Sequence, residues 1–117
     1  MPTIAIRKEL AERVFFDELA NFEFLPIFVS GQDWVLVNCL VNTKAMDLKN
    51  SLYYRDLSGV IFLMQKISVI EAEVSSGLAF TIDGSNRSTV FVLEKFVRRI
   101  RELGLRGLTF KPVGELI

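Results

Sequence analysis

Polar and apolar positions change period several times along this chain, and the changes mark its elements. Residues 6–20 put Leu10, Ala11 and Val14 on one side at helical spacing, with Glu9 and Arg13 four apart as a surface pair, and predict a helix. Phe15, Phe16 and Leu19 widen its apolar surface beyond one stripe. That predicts cover on two sides by the fold, or else a partner-contact face. FEFLPIFV, residues 22–29, reads as a strand at an edge or bulge, because Pro26 has no N–H to give a ladder. A turn at residues 30–33 leads to WVLVNCLVN, residues 34–42, apolar almost throughout and rich in Val. Such a strand belongs at the centre of a sheet with both faces covered.

Residues 43–58 are the most polar and least regular stretch, where Asp47, Asn50 and Ser51 are suited to local bonds with the backbone. GVIFLMQKISVIEAEV, residues 59–74, predicts one or two strands. In its second half Ile67, Val69 and Glu71 alternate with Ser68, Ile70, Ala72 and Val74. A turn at Ser75-Ser76-Gly77, a strand over 78–82, a turn at Asp83-Gly84-Ser85-Asn86 and a strand over 90–93 follow. Residues 94–103 predict a helix: Leu93, Phe96, Val97, Ile100 and Leu103 form its apolar stripe, and Glu94/Arg98 and Arg98/Glu102 brace the outside. Gly104 is placed to stop it. A last strand is expected over 107–113. The fold class is α+β: one domain over residues 1–117, a largely antiparallel sheet with an N-terminal helix (about 6–20) and a C-terminal helix packed on it, the sheet and second helix lying within 22–113.

Composition supports a core and narrows the chemistry. Half of the 117 residues are apolar and ten are Phe, enough to fold one domain without disulfides. The 14 cations and 14 anions cancel, which argues against wholesale binding to nucleic acid or a membrane surface. The balance is uneven: Lys95, Arg98, Arg99, Arg101, Arg106 and Lys111 face only Glu94, Glu102 and Glu115 in residues 94–117, leaving the rest net negative. The single Cys39 permits no internal disulfide and reads as a small core hydrophobe. With no signal-like apolar run at the start and no stretch near the ~18 apolar residues of a membrane span, a cytoplasmic location is expected. There is no histidine, which removes Ser-His-Asp and Cys-His systems and His-ligated zinc. An enzyme would have to work with carboxylates, Lys or Tyr. The expectation is a non-enzyme without cofactor or metal.

Three clusters carry candidate functions. Arg98, Arg99 and Arg101 form a basic ridge that could bind phosphate or an acidic partner, although positive charge also suits the end of a helix. Glu71 and Glu73, with Asp83 on a turn, could serve acid–base chemistry, but exposed strand polarity explains them more simply. Tyr53-Tyr54-Arg55-Asp56 has the composition of an interface hot spot, or of a loop clamped by its aromatics.

Four stretches in this order resemble immunity family eleven of bacterial polymorphic toxin systems. They are EFLPIFV; WVLVNCLVN with Asn38 leading into AMDLKNS with Asp47 and Ser51; LAFTIDGSNRSTVFVLEKF; and GLRGLTFKPV with Gly104, Gly107, Phe110 and Pro112. The resemblance implies a cytoplasmic antitoxin that binds a cognate toxin protein and blocks it by occlusion; the chain itself is expected to be a monomer or, through the apolar surface of its first helix, a homodimer. Asn38, Asp47 and Ser51 would organise the fold. Loop position and composition make Tyr53, Tyr54 and Arg55 the expected anchors, helped by Asp47, Lys49 and Asp56. The alternatives are a small ligand-binding or assembly domain of unrelated role, and a carboxylate-dependent enzyme with two acids converging in a cleft.

Overall fold

The computed structural model describes residues 4–85 and 89–117, and of residues 63 and 64 the backbone only. Its strands are β1 (Ile4–Arg7), β2 (Phe22–Val29), β3 (Gln32–Cys39), β4 (Asn42–Thr43), β5 (Leu52–Arg55), β6 (Ile61–Val69), β7 (Ala79–Ile82), β8 (Phe91–Val92) and β9 (Gly114–Leu116). Two helices, α1 (Lys8–Phe15) and α2 (Glu94–Glu102), and short 3-10 turns at Leu19–Asn21 and Glu71–Glu73 complete it. The α+β class and the mostly antiparallel pairing match the sequence expectation. In place of one sheet the described residues form three of three strands, ordered β1-β3-β2, β4-β7-β8 and β5-β6-β9. Among the described strands, the pairs β4–β7 and β6–β9 are parallel and the rest antiparallel.

The first sheet is built on the β2–β3 hairpin. Ser30 and Gly31 both have positive φ, 49° and 79°, between the paired Val29 and Gln32. This two-residue turn carries the twist that antiparallel strands need. The N–H of Leu40 donates to the carbonyl of Asn21 at 2.9 Å, which sets the phase of the ladder. By alternation, residues 23, 25 and 27 aim their backbone groups at β3, and 22, 24, 26 and 28 aim theirs at the open rim. The missing N–H of Pro26 therefore falls on the rim, and the strand runs through it unbroken, at the sheet edge.

The expected helix over 6–20 is shorter. Ile4 and Ile6 pair across to Val37 and Val35, so period-two burial replaces helical burial up to Arg7. The helix ends at Phe15 because Asp17 and Glu18 turn away to partners elsewhere in the chain. Glu9 pairs with Arg7 rather than with Arg13. Of the three aromatic and aliphatic residues beyond the stripe, Phe15 is buried while Phe16 and Leu19 are exposed. Phe15 holds the centre of the core: its ring lies 4.6 Å from Phe22, 5.6 Å from Phe24 and 5.9 Å from Phe96 of α2.

α2 follows its apolar stripe, burying Phe96 and Ile100. Its end matches expectation: the Gly104 N–H donates to Arg101 O (3.0 Å) and the Leu105 N–H to Ile100 O (3.2 Å), with Gly104 at φ 66°. No strand forms over 107–113. That segment runs irregularly along α2, with Phe110 against Phe96 at 6.1 Å, and the strand comes later, as β9 beside β6. The expected alternation over 67–74 also gives way. Ile67, Ser68 and Val69 are all buried in succession, and the chain then leaves as the exposed Glu71–Glu73 turn. The expected turn at 83–86 is present at Asp83 and Gly84; Asn86 lies outside the described residues.

Candidate functional site

The polar stretch 43–58 folds around two carboxylates. Asp47 accepts from the Lys49 N–H at 3.0 Å and from the Asn50 side-chain amide at 2.7 Å. The Asn50 bond, then the backbone donors, hold its carboxyl below the usual range. Ser51 is buried beside β6, where the Ser68 N–H donates to its Oγ at 3.0 Å. Asp56 accepts from the Ser58 hydroxyl (2.6 Å), the Ser58 N–H (2.8 Å) and the Val60 N–H (3.0 Å), and these donors likewise lower its pKa, the Ser58 hydroxyl most. Both acids therefore close loops, Asp47 through both oxygens and Asp56 through Oδ1.

The six expected contact residues part company. Tyr53 packs toward the core. Arg55 donates to Gly59 O at 3.3 Å and lies 5.6 Å from the Tyr53 ring centre, so it braces the β5–β6 turn while staying exposed. Lys49 is exposed. Tyr54 is exposed and pairs with Phe62 of β6, centroids 6.4 Å apart. Three apolar neighbours that the sequence reading did not single out share this ribbon. Leu52 and Phe62 are more than half exposed, and Leu57 at the turn is fully exposed. The signal was present as a large apolar residue inside Asp-Leu-Ser-Gly, a sequence otherwise suited to a polar turn.

Two depressions flank these elements. A hollow of about 240 Å³ lies between Thr43, Lys44, Met46, Arg55 and Asp83. A larger open groove of about 1100 Å³ lies between α2, β8 and the C-terminal segment, with Val92, Leu93, Val97, Phe110 and Leu116 among its walls. Two of its polar groups are engaged elsewhere, Ser76 with Glu18 and Lys95 with Asp17.

The basic ridge of α2 is divided. Arg99 turns inward: one nitrogen donates to Val14 O at 2.7 Å and to Asp17 Oδ1 at 2.8 Å, the other to Asp17 Oδ2 at 2.8 Å. Lys95 reaches the same carboxylate at 2.9 Å. These cations drive the Asp17 carboxyl far below the usual range, Arg99 contributing most. Arg98 and Arg101 stay exposed, with Arg101 at the groove. Glu71 and Glu73 are exposed on their turn rather than aligned on a strand face. Among the described residues no group of three or more Asp, Glu or Cys is gathered as for a metal, and no helix is long and apolar enough to cross a membrane. Cys39 is buried, and burial pushes its thiol pKa up. No protein-family model matches the chain, and no curated protein matches it significantly in sequence.

Proposed function

We propose that this chain is a non-enzymatic immunity protein that works in the cytoplasm, binding a cognate bacterial toxin and blocking it by occlusion, with the β5–β6 ribbon as its contact face. The observation that carries the reading is the exposed apolar group Tyr54, Phe62, Leu57 and Leu52 on a ribbon whose turn is held by Asp56. Large apolar side chains fixed on an ordered hairpin lose little freedom on binding, which is what interface anchors need. Lys49, Arg55 and Lys66 are exposed on these elements, while the nearby Asp47 and Asp56 are engaged with the chain. The ribbon therefore offers exposed cations, set among the ionised Asp47 and Asp56, as a charged rim for a complementary toxin surface. The hollow beside it is smaller than the roughly 300–1,000 Å³ of small-molecule sites, which favours a protein partner at this face.

Co-expression tests the reading. The gene immediately upstream in the native genome is expressed in a permissive host with and without this chain. Rescue by the wild-type chain, lost with Tyr54→Ala, Phe62→Ala or Arg55→Ala while each variant stays folded, is the expected result. A neighbour harmless alone, or toxic despite soluble wild-type chain, removes the reading. The 1100 Å³ groove favours a second reading, a small ligand-binding or assembly domain of unrelated role. A thermal-shift screen of the wild-type chain, repeated with Val97→Trp to fill the groove, tests it.

A further inference from the structure

Two sheets of this molecule end on the same groove. β8 is the last strand of the sheet β4-β7-β8, and β9 the last of β5-β6-β9. In β8, Phe91 pairs with Phe80, and the Leu93 N–H donates to Leu78 O at 2.8 Å. By alternation the main-chain groups of residues 91 and 93 turn to β7, and those of Val90 and Val92 turn away from it. In β9, the Ile67 N–H donates to Val113 O and the Ile117 N–H to Val69 O, each at 2.8 Å. Residues 113, 115 and 117 therefore turn to β6, and the main chain of Gly114 and Leu116 turns away. Among the described residues, these outward groups of Val90, Val92, Gly114 and Leu116 have no hydrogen-bond partner. All four residues line the open groove of about 1100 Å³ beside α2.

What fits such a groove follows from its chemistry. Free N–H and C=O groups along a strand edge are a template for another strand. Half-buried Val92, Leu93, Val97 and Phe110 along the groove offer apolar surface to the side chains of such a strand. The volume exceeds the roughly 300–1,000 Å³ of small-molecule sites. The exposed rim carries both signs, Arg101 and Lys111 against Glu71, Glu94 and Glu115, while Lys95 is held by Asp17. A charged headgroup would meet repulsion as well as attraction there, whereas a neutral main chain finds its bonds at the two edges. We infer that the groove takes an extended peptide segment of a partner protein as an added strand. Its main chain bonds to Val90 and Val92 of β8 and to Gly114 and Leu116 of β9, and its alternate apolar side chains lie on the groove wall. The inference rests on the second reading above, of this groove as a binding or assembly site. It is separate from the toxin face, because β5 lies on the far side of β6 from β9.

Random octapeptides displayed on phage, selected on the wild-type chain, test it. The enriched peptide is then synthesised plain and with a single N-methyl group at each residue in turn. Expected are apolar residues at alternate positions and a loss of about tenfold in affinity when a central amide is methylated. Amide exchange at Val90, Val92, Gly114 and Leu116 should slow in the complex. Val97→Trp, which narrows the groove, should weaken binding by about tenfold or more. If that variant does not fold, the exchange pattern of the wild-type complex decides. No peptide enriched over the bare support overturns the inference. So does a peptide that tolerates methylation at every amide, since it would bind through side chains alone and leave the groove a small-ligand site. Exchange at the four amides that slows as the free chain is concentrated overturns it too, because a second copy would then fill the groove.

Discussion

Asp17 shows how much of this fold hangs on single carboxylates between elements. It sits just past α1, two thirds covered, and receives both nitrogens of Arg99 and the Lys95 ammonium. A two-point contact with a mostly buried guanidinium is stronger than an ordinary surface ion pair. Asp17→Asn should cost about 1–2 kcal/mol at pH 7. The linkage has one sign. The folded-state pKa of Asp17 lies below its unfolded value of 3.8, so its stabilisation is present in full above that value and is lost as pH falls through the folded pKa. Urea midpoints at pH 7, 4 and 2 should show the wild-type advantage over Asp17→Asn intact at pH 7 and shrinking toward pH 2. An advantage unchanged by acid would contradict the assignment. Arg99 moves the other way, its pKa raised chiefly by Asp17, so it stays charged throughout.

At the scale of elements, legibility in the sequence follows how local the cause is. α2 could be read because its stripe and its Gly104 stop lie within a dozen residues, and the β2–β3 hairpin because Ser30-Gly31 separates two apolar runs. β1 was hidden because Ile4 and Ile6 are only two alternating positions running straight into a helical pattern. Asp47 could be read as a loop former from its own short-range chemistry. The exposure of Phe62 could not, since it depends on what lies over β6. β9 is the clearest case of a distant cause. Gly114 passes so close to β6 that a Cβ there would overlap the Ile67 carbonyl oxygen. The strand is thus placed at residue 114 by a partner far back in the chain, not over the more apolar 107–113. Gly114→Ala should destabilise the protein by about 2–3 kcal/mol and speed amide exchange at Ile67, whose N–H donates to Val113 O. An unchanged melting temperature with Ile67 still protected would show that β9 is not held by this close approach.

The whole molecule is longer than a compact chain of its size. Its radius of gyration is 15.1 Å and its extents are 48 × 28 × 24 Å, against roughly 13 Å for a compact domain of this length. An elongated body of three small sheets needs fasteners between them, and the consecutive acids after α1 supply two. Asp17 ties the first sheet's helix to α2. Glu18 accepts from the Ser76 hydroxyl and, at 2.9 Å, from the Gly77 N–H. Ser76 in turn accepts from the N–H groups of Leu78 and Ala79 at the head of β7. The Phe15–Phe96 contact is the apolar member of the same seam. Small domains unfold in one step when such seams are stronger than the separate parts. Removing both acids should therefore separate the parts. In the wild-type chain at dilute concentration, urea unfolding followed by Trp34 emission, which reports the first sheet, should coincide with exchange of the Phe80 and Thr81 amides of β7. In Asp17→Asn/Glu18→Ala the β7 amides should lose protection at lower urea than the Trp34 transition, and each single variant should fall between. Coincident transitions in the double variant would mean that the shared buried core joins the sheets without them and the two acids add only local stability.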